Sequence, residues 1–524
     1  MTELPDELQS ATKFYEFLGV KCGERAFLEK HSVHRYSAAL IPKRSGGTRM
    51  LLVPEPRLKF LQRRTLHLLE KLYSVRSPVH GFVTGRGAVS NANEHQRRPY
   101  LLNIDLKDYF GAISRRRLIG MLEAVGLDTE TAKAVAVVCV TRNQLPQGAP
   151  TSPLLANMIS YRLDGVLMRF AKQHHLRYTR YADDISLSSY TQPLALFEGG
   201  LPASGKVQIE KLSEPLRAAI HSNGFEINPG KVWFAGPRAR KEVTGLVVNE
   251  FTNVKRTFVR DVRAALYKLE KVGVTAAEKD YQSRYKTSAA LEWIVRGRLE
   301  WIGQVRGRRF SAYRTLAKRF NRLFPHSPPL PIEPTNEDIV DRAVWIVEFA
   351  EGTTCRQGTA FFLEGVGLVT ANHVLKDLPV GKSAELFKPK TSTRYSVTAS
   401  GQQCEHRDLV VLTHHVPADA YHNLPASASP NNIHDDIVAL GFPDYGPGDE
   451  LSKRHGKIVA RPTKHGVKLI EVSATLPDGI SGGPIVNNRY EVVGVAQRGG
   501  YDQNRQLAVE ISELLRLVSE KPKT

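Results

Sequence analysis

The stretch R-Y-T-R-Y-A-D-D-I-S-L-S, residues 177–188, decides how the first half of this chain is read. R-Y-T-R and I-S-L-S alternate with period two, so each predicts a strand, with Tyr181-Ala182-Asp183-Asp184 as the tight turn between them. Two adjacent carboxylates at such a turn repel each other and call for a cation. Upstream, L-L-N-I-D-L-K-D-Y-F puts Asp105 at the end of a third, apolar strand. Three carboxylates on adjacent strand ends can hold two Mg²⁺ ions about 3.5–4 Å apart, a pair that lowers the pKa of an attacking hydroxyl and neutralises a pyrophosphate leaving group. Taken alone, Y-A-D-D is equally the pattern of a solvated acidic hairpin tip.

The neighbouring segments favour the nucleotide chemistry. L-P-Q-G-A-P-T-S-P (145–153) places Gln147 and Gly148 in a turn where backbone can approach a nucleotide closely. Phe110, five residues after Asp105, can press on a sugar face. G-G-T-R-M-L-L-V-P (46–54) offers Arg49, with Lys43 nearby, as grips for a triphosphate. G-F-E-I-N-P-G-K (224–231) supplies Lys231 as an acid for the departing pyrophosphate.

In this order the segments resemble the palm and fingers of a reverse transcriptase over about residues 25–250. N-A-N-E-H (91–95) and V-T-G (243–245) resemble two signatures of bacterial retron reverse transcriptases, which group II intron enzymes generally lack. The resemblance implies that Asp105, Asp183 and Asp184 are metal ligands for two Mg²⁺ ions and that deoxynucleoside triphosphates are the substrates. It also implies that Phe110 excludes a ribose 2′-hydroxyl and that Gln147 belongs to the nucleotide pocket. Asn91, His95, Val243, Thr244 and Gly245 carry the retron signature. On residues alone, Asn91 and His95 are expected on a solvated helix face, and Thr244-Gly245 reads equally as an ordinary strand-edge turn.

Residues 255–325 hold 18 Lys/Arg against 6 Asp/Glu. Leu266, Leu269 and Val272 share one helical face, and Leu291, Val295, Leu299 and Ile302 another. Interleaved Tyr267, Tyr281, Tyr285, Trp293, Trp301 and Tyr313 suit phosphate contact and base stacking. In retrons this thumb region is implied to grip a structured noncoding RNA. Priming from a 2′-hydroxyl of that RNA would leave a branched RNA–DNA product, the msDNA. No signature for degrading the RNA template is found, so a host RNase H is inferred as a partner.

Five prolines in F-P-H-S-P-P-L-P-I-E-P-T (324–335) cannot join a helix interior or a central strand and predict a semi-rigid spacer. After it come short β-branched runs cut by turn residues, an all-β texture. L-V-T-A-N-H-V presents His373, H-R-D-L-V-V-L presents Asp408, and D-G-I-S-G-G-P presents Ser481 among glycines. Acyl transfer needs a nucleophile, a base for its proton and a carboxylate to hold the imidazole tautomer, here in the order His…Asp…Ser. The glycines permit a turn that aims the N–H groups of Gly479 and Ser481 at a developing oxyanion. Residues 336–515 resemble the trypsin-like serine proteases of two six-stranded barrels, and by their short loops the HtrA-type relatives. Ile480 stands where enzymes activated by propeptide cutting carry an aspartate, so another event is expected to switch this site on. Thr475 is expected at the base of the specificity pocket and argues against a Lys or Arg preference.

Composition bounds the whole. The chain has 524 residues, of which 41% are hydrophobic and 24% charged, and a net charge of +20. That length predicts several domains and that charge a polyanionic partner. The longest apolar runs, such as A-V-A-V-V-C-V at 134–140, are too short for a membrane span. Four scattered cysteines exclude a disulfide scaffold, and the acidic N-terminus is unlike a secretion signal, so a cytoplasmic protein is expected. The expected architecture is an α+β right-hand polymerase (fingers and palm 1–254, helical thumb 255–323), a linker 324–335, and an all-β double barrel, 336–524. Residues 185–222 are expected to be largely a surface insertion. The resemblances together imply a retron reverse transcriptase fused to a protease effector in antiphage defence. Two other readings stay open: an intron-like or untemplated polymerase with a peptide-binding β domain, and a protease using the polymerase as an RNA-binding scaffold.

Overall fold

The computed structural model describes residues 4–31, 35–42, 48–351, 354–379, 382–429, 431–497 and 505–520. Two units divide the chain, Met1–Pro331 and Ile332–Thr524. They differ in charge: the first holds 53 Lys/Arg against 29 Asp/Glu and the second 20 against 24, so the basic surplus belongs to the first unit alone.

In the first unit the period-two segments become the centre of an antiparallel sheet. Its strands run in the order Arg177–Tyr181, Asp184–Ser189, Tyr100–Lys107, Trp233–Ala235, Gly205–Lys206, with Glu226–Ile227 pairing separately onto Tyr100–Lys107. Alternation decides the two faces: Ile185 and Leu187 enter the apolar core with Leu102 and Ile104, while Ser186 donates to Asn103 Oδ1 on the other face. The 22-residue helix Ser152–Gln173 packs against this core through Leu155, Leu163 and Leu167, all fully buried. A two-stranded hairpin, Tyr36–Pro42 with Thr48–Pro54, forms the fingers element, and Leu40 and Met50 on it are exposed.

Residues 185–222 are not simply an insertion. Ser186–Ser189 continue the central strand, Gly205–Lys206 add an edge strand, and Leu196, Phe197, Val207 and Leu212 are buried. Tyr190–Gln192 and the tip near Glu198–Gly200 are exposed throughout.

Four helices follow: Arg256–Val272, Val274–Tyr285, Leu291–Arg306 and Ser311–Leu323. Leu266, Leu269, Leu291, Val295, Leu299 and Ile302 are buried as the periodicity predicts. Val272 is not. It ends its helix next to Gly273, past the packed stripe, and is 48% exposed. Tyr313 is also a correction, because its ring is buried against Gly303 and its hydroxyl donates to Pro331 O at 2.8 Å, so it stacks on no base. The proline-rich segment is fastened to these helices as far as Pro331: Leu330 is buried and exchanges two hydrogen bonds with Asn321, and Arg296 donates to Pro328 O.

The second unit opens with helix Asn336–Ala343, started by a capping box in which Thr335 and Asp338 bond each other's backbone N–H. A closed barrel follows, in the order Val344–Glu351, Thr354–Leu363, Gly367–Thr370, Leu409–His414, Arg394–Cys404, Ala384–Phe387. A second ring runs Ser452–Ala460, Asp436–Gly441, Pro484–Asn487, Val492–Ala496, Leu507–Glu510, Val467–Val472 and closes by pairing of the last with the first. Helix Ile511–Ser519 ends the described fold. Among the described residues, no helix is long and apolar enough to cross a membrane.

Candidate active sites

Strand register brings the three carboxylates together. Asp105 pairs across the ladder with Asp184, and Leu106 N donates to Asp183 O at 2.9 Å. The turn between them is held from both sides. Ala182 has φ 55°, an uncommon value for a residue with a Cβ, and its carbonyl accepts from Arg180 Nη1 at 3.0 Å. On the other side Gly81 sits so close that any side chain there would collide with Ala182 N. Arg180 is fully buried. Its guanidinium grips Asp164 with two bonds of 2.7 Å and reaches Tyr109 OH and Asn157 Oδ1. Sequence reading missed this arginine, although R-Y-A-D-D places it beside the turn.

Asp105 accepts from Asn228 Nδ2 at 2.8 Å and from Lys231 Nζ at 2.6 Å. Withdrawal from water first, and the Asp105 charge second, raise the Asp183 carboxyl above its ordinary range. Crowding by protein atoms first, then the charges of Asp183 and Asp105, push Asp184 up to about 7. For Lys231 burial acts downward, but the Asp105 hydrogen bond and the three carboxylates outweigh it and hold the amine above its usual value. Three carboxylates gathered at adjoining strand ends are oxygen donors of the kind a hard divalent cation takes. Among the described residues no group of three or more His, Cys, Asp or Glu side chains is placed to hold a metal ion. The cation paired with Asp105 is the Lys231 amine, whose side chain is 59% exposed.

A cleft of about 1210 Å³ opens on this cluster, lined by Arg49, Phe110, Gln147, Gly148 and Lys231. Lys43 lies outside the described residues. Gly148 has φ 124°, and a Cβ on it would meet Leu52 O at 2.7 Å. Gln147 O accepts from Leu52 N, so the fingers strand packs directly on this glycine. The Phe110 ring stands 6.1 Å from that of Phe82, a 48% exposed residue at φ 59° that sequence reading did not find.

The expectation of a solvated face for Asn91 and His95 is overturned, for both are buried. Helix Ala88–Asn93 stops before His95, whose ring bonds Ser188 Oγ at 2.6 Å and Thr179 Oγ1 at 2.7 Å on the palm strands. Burial lowers its pKa to about 3, so the ring is neutral. Both side-chain polar atoms of Asn91 are buried without a partner among the described residues. Val243 and Leu246 flank a two-residue turn, Thr244 at φ 48° and Gly245 at φ 81°. A β-branched residue is strained there, and the bond from Thr244 Oγ1 to Ala88 O ties the turn to the Asn91 helix. The two signatures are thus one packed element. A groove of about 670 Å³ with Asp184, Trp233, Arg240 and Lys255 adjoins this turn, and another of about 790 Å³ holds Trp293, Arg298 and Trp301.

In the second unit His373 Nδ1 lies 2.7 Å from Asp408 Oδ2, a bond that fixes the imidazole, and the His373 backbone N–H donates to Asp408 Oδ1 at 2.8 Å. Ser481 is 7% exposed and lines, with His373 and Gly479, a cleft of about 490 Å³. No hydrogen bond joins Ser481 to His373 among the described residues. Gly479 takes φ 87°, and neither its N–H nor that of Ser481 donates to any described group. The arrangement can take a proton from a hydroxyl, keep the tautomer that does so, and offer two amides to an anion. Thr475 is a correction: it is exposed and does not line this cleft.

A palm sheet carrying clustered carboxylates defines the first unit as a polymerase of the right-hand class, and paired barrels flanking Ser481 define the second as a trypsin-like fold. Residues 41–248 match the family described as reverse transcriptase (RNA-dependent DNA polymerase), and residues 358–495 match the trypsin-like peptidase domain. The Retron Mx162 reverse transcriptase of Myxococcus xanthus is 31% identical over 314 residues, 54% of this chain and 63% of that protein. The Retron Mx65 enzyme of the same organism is 33% identical over 48% of this chain and 60% of its own length, so the chain spans less than two thirds of either. The Retron Ec86 reverse transcriptase of Escherichia coli is 32% identical, over 44% of this chain and 69% of its length. The chain belongs to the retron reverse transcriptase family and carries a trypsin-like peptidase domain after it. Solved structures similar to the second unit include the active form of the Rv3671c protease from M. tuberculosis, 16% identical over 38% of this chain and 97% of that one, TM-score 0.31. A serine endoprotease from Yersinia pestis is 19% identical over 36% and 66%, TM-score 0.29.

Proposed function

We propose that the first unit copies part of a bound, structured noncoding RNA into DNA, leaving msDNA, and that the second unit is a serine endopeptidase effector in antiphage defence. The observation that carries the polymerase half is the register pairing Asp105 with Asp184, with Lys231 answering their charge. Reverse transcriptases work with divalent metal ions and deoxynucleoside triphosphates, and Asp105, Asp183 and Asp184 would hold two Mg²⁺ ions. When bound, such ions supply charge neutralisation at the attacking and leaving oxygens. Lys231, released from Asp105, offers a proton to the departing pyrophosphate. Arg49 meets the triphosphate, Gln147 and Gly148 bound the base pocket, and the Phe110 ring blocks a 2′-hydroxyl. The packed element of Asn91, His95 and Val243–Gly245 sets the floor between the palm and the basic helices on which the RNA lies. A host RNase H trims the template, and the protein works in the cytoplasm.

In the second unit Ser481 Oγ attacks a peptide carbonyl while His373 Nε2 takes its proton. The acyl–oxygen bond forms, the peptide C–N bond breaks, and the same proton passes to the leaving amine. Asp408 holds Nδ1–H throughout, and the Gly479 and Ser481 amides meet the oxyanion.

The test is purification followed by RNase treatment. A discrete single-stranded DNA is expected with the wild-type protein and none with Asp183→Asn/Asp184→Asn. Absence of DNA from the wild type beside its neighbouring RNA gene refutes the retron assignment. Ser481→Ala should keep the DNA and lose cellular protection.

A further inference from the structure

The loop Asp478–Ser481 leaves two amides free because each of its carbonyls is occupied. Asp444 N donates to Asp478 O at 3.3 Å and Gly483 N to Ile480 O at 2.8 Å. In a planar trans peptide the N–H points opposite the C=O, so these two bonds turn the Gly479 and Ser481 N–H groups toward the cleft. The other two carbonyls are both held by Thr359. Its Oγ1 donates to Gly479 O at 2.7 Å and its N–H to Ser481 O at 2.9 Å. The same hydroxyl accepts from Phe442 N at 3.0 Å, and Thr370 Oγ1 donates to Thr359 O at 2.7 Å. Thr359 is fully buried on the first-barrel strand Thr354–Leu363, while Phe442 follows a strand of the second barrel. One hydroxyl therefore couples both barrels to the loop. Ile480 supplies the remaining anchor, with its side chain buried in an apolar cluster with Ile437, Leu476 and Ile485.

We propose that Thr359 is the positioning residue that holds the Gly479 and Ser481 amides in their donating orientation. The oxyanion site is thereby assembled without a freed α-amino group, and control of this protease falls on access and on the Ser481–His373 contact. The proposal rests on the reading of the second unit as a protease. Without the Oγ1, the buried Gly479 carbonyl and Phe442 N–H both lose their partner, and the peptide between Gly479 and Ile480 is released to rotate.

The experiment uses the full chain and a fluorophosphonate probe, following second-order labelling of Ser481 against pH, with intact mass to show that the labelled chain is uncut. Thr359→Val keeps the shape and removes the hydroxyl, and is expected to slow labelling by about thirtyfold, below the 10²–10³ of deleting a donor outright. Its pH profile should match the wild type, because His373 and Asp408 are untouched, and circular dichroism should show it folded. Thr359→Ser should return labelling to within about threefold. A folded Thr359→Val protein that labels at the wild-type rate overturns the proposal, as does a Thr359→Ser protein as slow as the valine variant. Should Thr359→Val not fold, Thr359→Cys, a weak donor of similar size, is expected to be slowed by about tenfold, and an unchanged rate there overturns it equally. A folded wild type that resists labelling, or labels only once cut, overturns the proposal, and the first result sinks the protease reading as well.

Discussion

Removing the carboxylate beneath the Y-A-D-D turn separates stability from activity in a way the structure specifies. Arg180 and Asp164 are both fully buried, and Asp164→Asn leaves the guanidinium without its countercharge while every other partner stays in place. Breaking a buried pair at one end costs about 3–5 kcal/mol. For a unit of some 330 residues the unfolding entropy is about 0.7 kcal/mol/K, so the melting temperature should fall by roughly 4–7 °C. Calorimetry on the full chain reads this as a shift in the first unit's transition with the second unmoved. Asp164→Leu/Arg180→Met removes both charges and should recover much of that loss. DNA synthesis should not recover with it. A thioether in place of the guanidinium donates nothing to Ala182 O, and the left-handed turn that presents Asp183 and Asp184 loses its tether. An Asp164→Asn protein melting within about 1 °C of wild type, or a double variant with full polymerase activity, refutes the reasoning.

The neutral, buried His95 makes the first unit acid-sensitive. Its folded pKa, about 3, lies below the ordinary histidine value, so the unfolded chain binds more protons in between; its contribution is full above that value and lost as pH falls. From pH 6.5 to pH 5 urea titration should show a loss of about 2 kcal/mol that His95→Asn lacks. Magnesium at tenfold its dissociation constant should raise the first unit's melting temperature by about 2 °C, an effect absent from Asp105→Asn/Asp183→Asn. Asp408→Asn removes the acceptor that fixes His373 and should slow fluorophosphonate labelling of Ser481 by about 10³–10⁴, with the cleft otherwise intact.

Local pattern and chain order were enough to announce both chemistries. Alternation around residues 177–188 required a hairpin, and its turn had to carry the paired carboxylates. His373, Asp408 and Ser481 stood in an order and among glycines that few other arrangements use. The charge division between the units was also countable from the residues. Which of several polar or aromatic groups would be covered was not. Periodicity tells which residues share a face, yet a neighbour from elsewhere decides whether that face meets water. So Tyr313 and Asn91 went inside while Val272 stayed out. His95 waited on Ser188 and Thr179, residues some ninety positions away that only sheet register brings near. Lys231 on Asp105 and Thr359 behind the serine loop are contacts between distant segments. Chain closure sets such contacts, so they leave no mark in any one stretch of sequence.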